Sequence, residues 1–145
     1  MQPIIKQAIK FILVGILNTF IDLGVLNILI WASGISAGLG YSAFKGISFT
    51  IAVINSYFLN KFWTFERRET AGVKREFSQF FVVSLIGFGI NVGVASLVVN
   101  AIGPQFSIVP KLWANIGAIC ATLVGMTWNF LGYKFIVFKP KTNNE

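Results

Sequence analysis

The sequence contains no histidine and one cysteine, Cys120. Those two absences exclude an intrachain disulfide, a His/Cys zinc cluster and any His-based catalytic triad. Charge is scarce as well, with 12% of residues charged against roughly 25% in a soluble domain. The acids are Asp22, Glu66, Glu69, Glu76 and Glu145, and Asp22 alone lies in an apolar stretch. Two carboxylates facing each other across a buried active site are therefore unavailable within one chain. No metal-binding acidic motif or nucleophile–base pair replaces them, so an enzyme is disfavoured and no cofactor or metal is expected.

What the chain has is apolar surface: 55% of its 145 residues are hydrophobic, with a mean hydropathy of +0.74. That excess runs along the whole length, which identifies an integral membrane protein and not a soluble domain with an anchor. A bilayer span needs about 20 mostly apolar residues. Four stretches qualify, at about 9–31, 41–63, 80–102 and 112–137, giving an all-α membrane protein with four transmembrane helices in a single domain. The first span is read as retained, because Asn18 and Asp22 do not belong in a signal-peptide core. Residues 66–77 form the strongly polar loop, and 139–145 are expected to be a flexible tail.

The net charge of +7 would point to nucleic acid in a soluble protein, but here its placement sets topology. Lys6, Lys10, Lys61, Arg67, Arg68, Lys74, Arg75, Lys134, Lys139 and Lys141 fall on one side of the four spans, leaving Lys45 and Lys111 elsewhere. The positive-inside rule then puts both termini and the middle loop in the cytoplasm, with the two uncharged loops outside. No nucleic-acid partner is expected.

The second half echoes the first. A shift of 69 aligns Phe11, Val14, Asp22, Gly24 and Val25 with Phe80, Val83, Asn91, Gly93 and Val94. A shift of 73 aligns Lys61-Phe62-Trp63-Thr64-Phe65 with Lys134-Phe135-Ile136-Val137-Phe138. Each repeat is a two-helix hairpin, and two hairpins crossing in the same direction make a parallel repeat. The four-residue difference between the shifts places a longer outer loop in the second half.

These residues resemble the GtrA family of small four-span bacterial membrane proteins. The resemblance is carried by Asn18-Thr19-Phe20-Ile21-Asp22, by Asn55 followed by Asn60-Lys61-Phe62-Trp63-Thr64-Phe65, and by Ala121-Thr122-Leu123-Val124-Gly125 leading to Trp128-Asn129-Phe130. It covers about residues 10–138. It implies translocation of a polyprenyl-phosphate-linked sugar from the inner to the outer leaflet of the cell membrane, for glycosylation of surface polysaccharide or teichoic acid. Membrane lipids, membrane glycosyltransferases and a second copy of the chain are the expected partners. Two departures are visible: Gly132-Tyr133 stands where the first repeat has Leu59-Asn60, and Ala118 stands where many relatives have a lysine.

Candidate site residues fall into two sets. Asp22 leads the first, because a carboxylate inside a span marks a functional site by default. Gly15, Asn18 and Asp22 share one helix face, matched by Ser84, Gly87 and Asn91 in the second repeat. With Asn55 and Asn129, the residues Asn18, Asp22 and Asn91 form a candidate polar pathway for a head group, against the alternative of a hydrogen-bonded packing seam. The second set is cationic: Lys61, Lys134, Arg67 and Arg68 at the inner rim, and Lys45 near the outer end of span two, as candidate lipid-phosphate ligands. Snorkelling to the interface is the competing reading of Lys45, Lys61 and Lys134. Gly89-x-x-x-Gly93 matches a helix-association pattern. Two other functions remain open at this point: a small cation- or proton-coupled exporter, and a non-transporting partner subunit of a membrane glycosyltransferase.

Topology is testable directly. In a Cys120→Ser background, single cysteines at positions 36 and 105 should react with a membrane-impermeant maleimide from the outer side; reaction only from the cytoplasmic side overturns the assignment.

Overall fold

The computed structural model describes residues 3–139. The expected tail therefore lies, from residue 140 onward, outside the described residues. Among those described, four long helices and no strands are present: α1 (Ile4–Ser33), α2 (Gly38–Leu59), α3 (Val73–Ser96) and α4 (Pro110–Gly132). Three of them run on without a break into wider π turns, α2 through Asn60–Thr64, α3 through Leu97–Ile102 and α4 through Tyr133–Val137. Helices are the natural answer to a bilayer core, where each backbone N–H and C=O must be satisfied within its own segment.

Residues Ile4–Ser33, Val73–Ile102 and Leu112–Val137 are long and apolar enough to cross a membrane. The helix over 38–64 matches them in length and carries more polar residues, including Lys45, Asn55, Asn60 and Lys61. Helix ends follow local chemistry. Gly34 closes α1 with φ 72°, its N–H bonded to the Ile30 carbonyl at 2.8 Å. Pro110 opens α4, where a missing N–H does no harm. Helix α3 starts at Val73, inside the stretch 66–77 expected to be loop, because Gly72 at φ 80° ends the polar connection there.

The chain divides into two compact units at Ala71 and Gly72, and each is one helical hairpin. The repeat read from the sequence is present in the geometry. Helix α1, Ile4–Ser33, shifted by 69, is Val73–Ile102, and the turn Asn60–Thr64, shifted by 73, is Tyr133–Val137. The connections within the hairpins, 34–37 and 103–109, account for most of the difference between the shifts. Buried positions correspond as well: Gln7 with Glu76, Phe11 with Phe80, Val14 with Val83, Asn60 with Tyr133 and Thr64 with Val137.

Within each hairpin the interior is a narrow seam. Only Gln7, Phe11, Val14 and Leu26 of α1 are buried, while Ile12, Phe20 and Ile28 are exposed, as suits side chains solvated by lipid. In the second hairpin small residues permit the close approach. A Cβ on Gly125 would stand 3.4 Å from the Gly87 carbonyl oxygen, and one on Gly132 would stand 2.5 Å from Val83 Cγ1. Nothing lies within 4 Å of such positions on Gly89 or Gly93, so the Gly-x-x-x-Gly match does not make this contact. Trp128 Nε1 donates to the Val83 carbonyl at 3.0 Å, and Trp113 Nε1 to that of Val98 at 2.8 Å.

Gly125→Leu should therefore destabilise the protein by about 1–3 kcal/mol, as overpacking does. Gly15→Ala, inside α1 with nothing within 4 Å, should not lower stability and should raise it by up to about 1 kcal/mol. Thermal unfolding of the purified variants in detergent checks both.

Candidate functional site

Most polar side chains in the spans are satisfied by their own helix. Thr19, Asn27, Ser33, Thr50, Ser78, Thr122 and Thr127 each donate to the carbonyl four residues earlier. Polar groups that reach to another helix are fewer, and in the first hairpin they form a ladder.

One rung joins Asn55 Nδ2 to Asn18 Oδ1 at 2.9 Å. One turn further along α1, Asp22 makes the next. Its Oδ2 pairs with the Lys45 ammonium, and its Oδ1 accepts from Ser48 Oγ at 2.6 Å. Ser48, fully buried, also lies 3.1 Å from the Lys45 carbonyl oxygen, so the hydroxyl ties the acid to the backbone of α2. Lys45, read from sequence as either snorkelling outward or a lipid-phosphate ligand, points to Asp22 and forms an ion pair with it. The physical reason is the apolar surround, where each charge strongly favours the nearest opposite one.

The basic end of this hairpin is built on the turn Asn60–Thr64, closed by the Phe65 N–H to the Asn60 carbonyl at 2.9 Å. Lys10 of α1 reaches across to it, donating to the Trp63 carbonyl at 2.9 Å and lying 3.3 Å from Glu66 Oε1. Lys61 is 1% exposed, with Nζ 3.2 Å from the Tyr57 hydroxyl and over the rings of Tyr57 and Phe62 at 5.5 and 5.8 Å. It is therefore not a member of an open cationic rim. Aromatic faces and a phenol oxygen hold its ammonium inside, a cation–π arrangement strengthened by desolvation. Arg67 pairs with Glu69 at 3.4 Å, and Arg68 is exposed.

The second hairpin repeats the lysine and not the ladder. Lys134 lies over Phe130 and Phe135 at 5.9 and 5.7 Å, the positions matching Tyr57 and Phe62. Tyr133, standing where the first repeat has Asn60, is buried, stacks on Phe80 with centroids 4.3 Å apart, and shares a 2.6 Å hydrogen bond with Ser84. Asn91 occupies the place of Asp22 and packs against Gly125, with Ala118 and Ala121 in the places of Lys45 and Ser48. Asn129 lies against Gly87, where a Cβ would come within 2.1 Å of its Oδ1. Since Gly87 corresponds to Asn18, the true counterpart of Asn129 is Asn55, one position off the 73-residue shift, and its Oδ1 is buried without a hydrogen-bond partner.

Of the residues singled out by sequence, the structure brings together Asn18 with Asn55 and Asp22 with Lys45. It keeps Asn91 and Asn129 in apolar or glycine-lined packing, and it encloses Lys61. Sequence reasoning missed Ser48 as the second ligand of Asp22, three residues after Lys45 and so on the same helix face. It also missed the interior position of Asn60 and Thr64, for which the repeat offered no signal, since their counterparts are Tyr133 and Val137.

Comparison with known proteins agrees with this architecture. A membrane protein of Bacillus subtilis (strain 168), described as the uncharacterized membrane protein YngA, is 32% identical over 140 residues, covering 97% of this chain and 84% of that protein. No solved structure matches. Residues 10–138 match the family described as GtrA/DPMS, transmembrane domain. With nearly its whole length matched, this all-helical membrane chain belongs to the GtrA/DPMS transmembrane-domain family.

Proposed function

We propose that this protein moves a polyprenyl-phosphate-linked sugar from the cytoplasmic to the outer leaflet of the plasma membrane, supplying glycosylation of a surface polysaccharide or teichoic acid. In this reading it is a translocator and not a catalyst, both termini face the cytoplasm, and membrane glycosyltransferases act on either side of it. Two small hairpins enclose little space, so a second copy of the chain completes the path for the head group.

The observation that carries this reading is the Asp22–Lys45–Ser48 cluster within the first hairpin. An ion pair set within apolar spans is a poor stabiliser, since replacing both charges by apolar groups is often neutral or favourable. Packing alone gives no reason to keep it, whereas an anionic head group does. Lys45 holds a carboxylate until a phosphate arrives, and exchanging one anion for another keeps the ammonium compensated throughout. The Asn18–Asn55 rung, one turn away, offers amide groups to sugar hydroxyls. At the opposite, basic end of this hairpin, exposed Arg68 meets the phosphate at the interface. A cation-coupled exporter is less well served, because Asp22 already carries a bound lysine.

The test separates charge compensation from transport. Lys45→Met leaves an unpaired carboxylate and should lower thermal stability; Asp22→Asn combined with Lys45→Met should restore it. In proteoliposomes, the neutral double variant should fail to move a labelled polyprenyl-phosphate glucose between leaflets. Wild-type flux through that variant returns the pair to a packing role.

A further inference from the structure

Five buried side-chain atoms have no hydrogen-bond partner among the described residues: Gln7 Oε1, Asn60 Oδ1, Thr64 Oγ1, Arg67 Nε and Asn129 Oδ1. Four of the five fall at one place, the basic end of the first hairpin. Gln7, Asn60 and Thr64 are 5%, 1% and 0% exposed, so neither water nor lipid reaches them from outside. Leaving such groups unsatisfied is costly, and native interiors rarely tolerate a concentration of them without a function. Their proximity follows from the chain. Asn60 and Thr64 open and close the same turn, and Arg67 N–H bonds the Lys61 carbonyl at 2.8 Å. Gln7 lies one turn before Lys10, which reaches Trp63 and Glu66.

The corresponding end of the second hairpin lacks this set. Thr64 is matched by Val137, Lys10 by Gln79, and Asn60 by Tyr133, whose hydroxyl is already bonded to Ser84. Among the described residues, the cluster of unsatisfied atoms at this end is thus a property of the first hairpin; in the second, Glu76 stands in the place of Gln7 and the unsatisfied oxygen is that of Asn129, on α4.

We propose that the basic end of the first hairpin is a binding site for a polyhydroxylated, phosphate-bearing ligand, with Gln7, Asn60 and Thr64 reading its hydroxyls. Two amide oxygens accept from hydroxyls, a threonine hydroxyl can accept or donate, and the Arg67 Nε–H donates. A sugar hydroxyl is both donor and acceptor and satisfies all four, whereas a bare phosphate, an acceptor only, cannot satisfy the amide oxygens. Lys61 and Arg67 supply the positive charge. The oxygens are enclosed, so binding requires the turn to open, and a π turn is a common feature of functional sites in helices. The contact that ties it to α1 is the Lys10 strap, whose ammonium a ligand phosphate draws away from the Trp63 carbonyl and Glu66. This site rests on the translocation reading for its lipid-linked form, and it makes the sugar and not the phosphate the group discriminated here.

The experiment measures binding of three probes to full-length protein in nanodiscs: a short-chain polyprenyl-phosphate glucose, the same polyprenyl phosphate without sugar, and glucose 1-phosphate. Thr64→Val, which keeps shape and removes one unpaired hydroxyl, should weaken the glucosylated probe about five- to tenfold, as loss of one hydrogen bond does, and leave the bare phosphate unchanged. Gln7→Leu should do the same, and Val137→Thr in the second hairpin should do nothing. Thermal unfolding of the ligand-free Thr64→Val protein should be undiminished, because that hydroxyl has no partner to lose. Unchanged affinity of the Thr64→Val and Gln7→Leu variants for the glucosylated lipid overturns the site while leaving translocation standing. If neither lipid binds the wild type but glucose 1-phosphate does, and Thr64→Val loses it, translocation of a lipid-linked sugar fails and the site survives. No binding of any probe to the wild type overturns both.

Discussion

The constraint on which this molecule depends is the absence of water along most of its length. A polar group in a lipid-facing helix has three resorts: its own backbone, a partner on the adjacent helix, or a ligand. Thr19, Thr50, Thr122 and Thr127 take the first, donating to carbonyls one turn back. Asn18, Asn55, Asp22, Lys45 and Ser48 take the second. The oxygens of Gln7, Asn60, Thr64 and Asn129 take neither, and the first three belong to the ligand site proposed above.

That ordering explains why the first hairpin dominates the functional reading. Its interior alternates apolar residues that hold the helices together, Phe11 and Val14, with polar residues that do not improve packing. In the second hairpin the same positions hold Phe80 and Val83, and the polar ones have become Gly87, Asn91, Ala118, Ala121, Tyr133 and Val137. Trp128, Tyr133 and the close approach at Gly125 hold that hairpin together, with side-chain hydrogen bonds serving cohesion.

The fold was largely legible in the sequence, because span length, turn residues and a hairpin repeat are all written in composition and spacing. Helix starts were less so: α3 begins at Val73, where charge density suggested loop, since Lys74, Arg75 and Glu76 are good helix formers once Gly72 has ended the connection. The site was legible one residue at a time and not as contacts. Asp22 announced itself by cost, yet its pairing with Lys45 depends on how far each stands from the connection at 34–37, a matter of register that no periodicity states. Lys61 misled for a related reason. A lysine at a helix end normally snorkels, and only the placement of Tyr57 and Phe62 about it turns the side chain inward.

The lysine set between two aromatic rings, inside a turn one residue wider than an α-helix, occurs in both hairpins at the same offset, while the Asp22–Lys45 pair occurs in one. Because both hairpins share that turn and only the first has the ion pair, the turn answers a need common to both, seating a basic end among aromatic side chains, and the pair answers a need of the first alone.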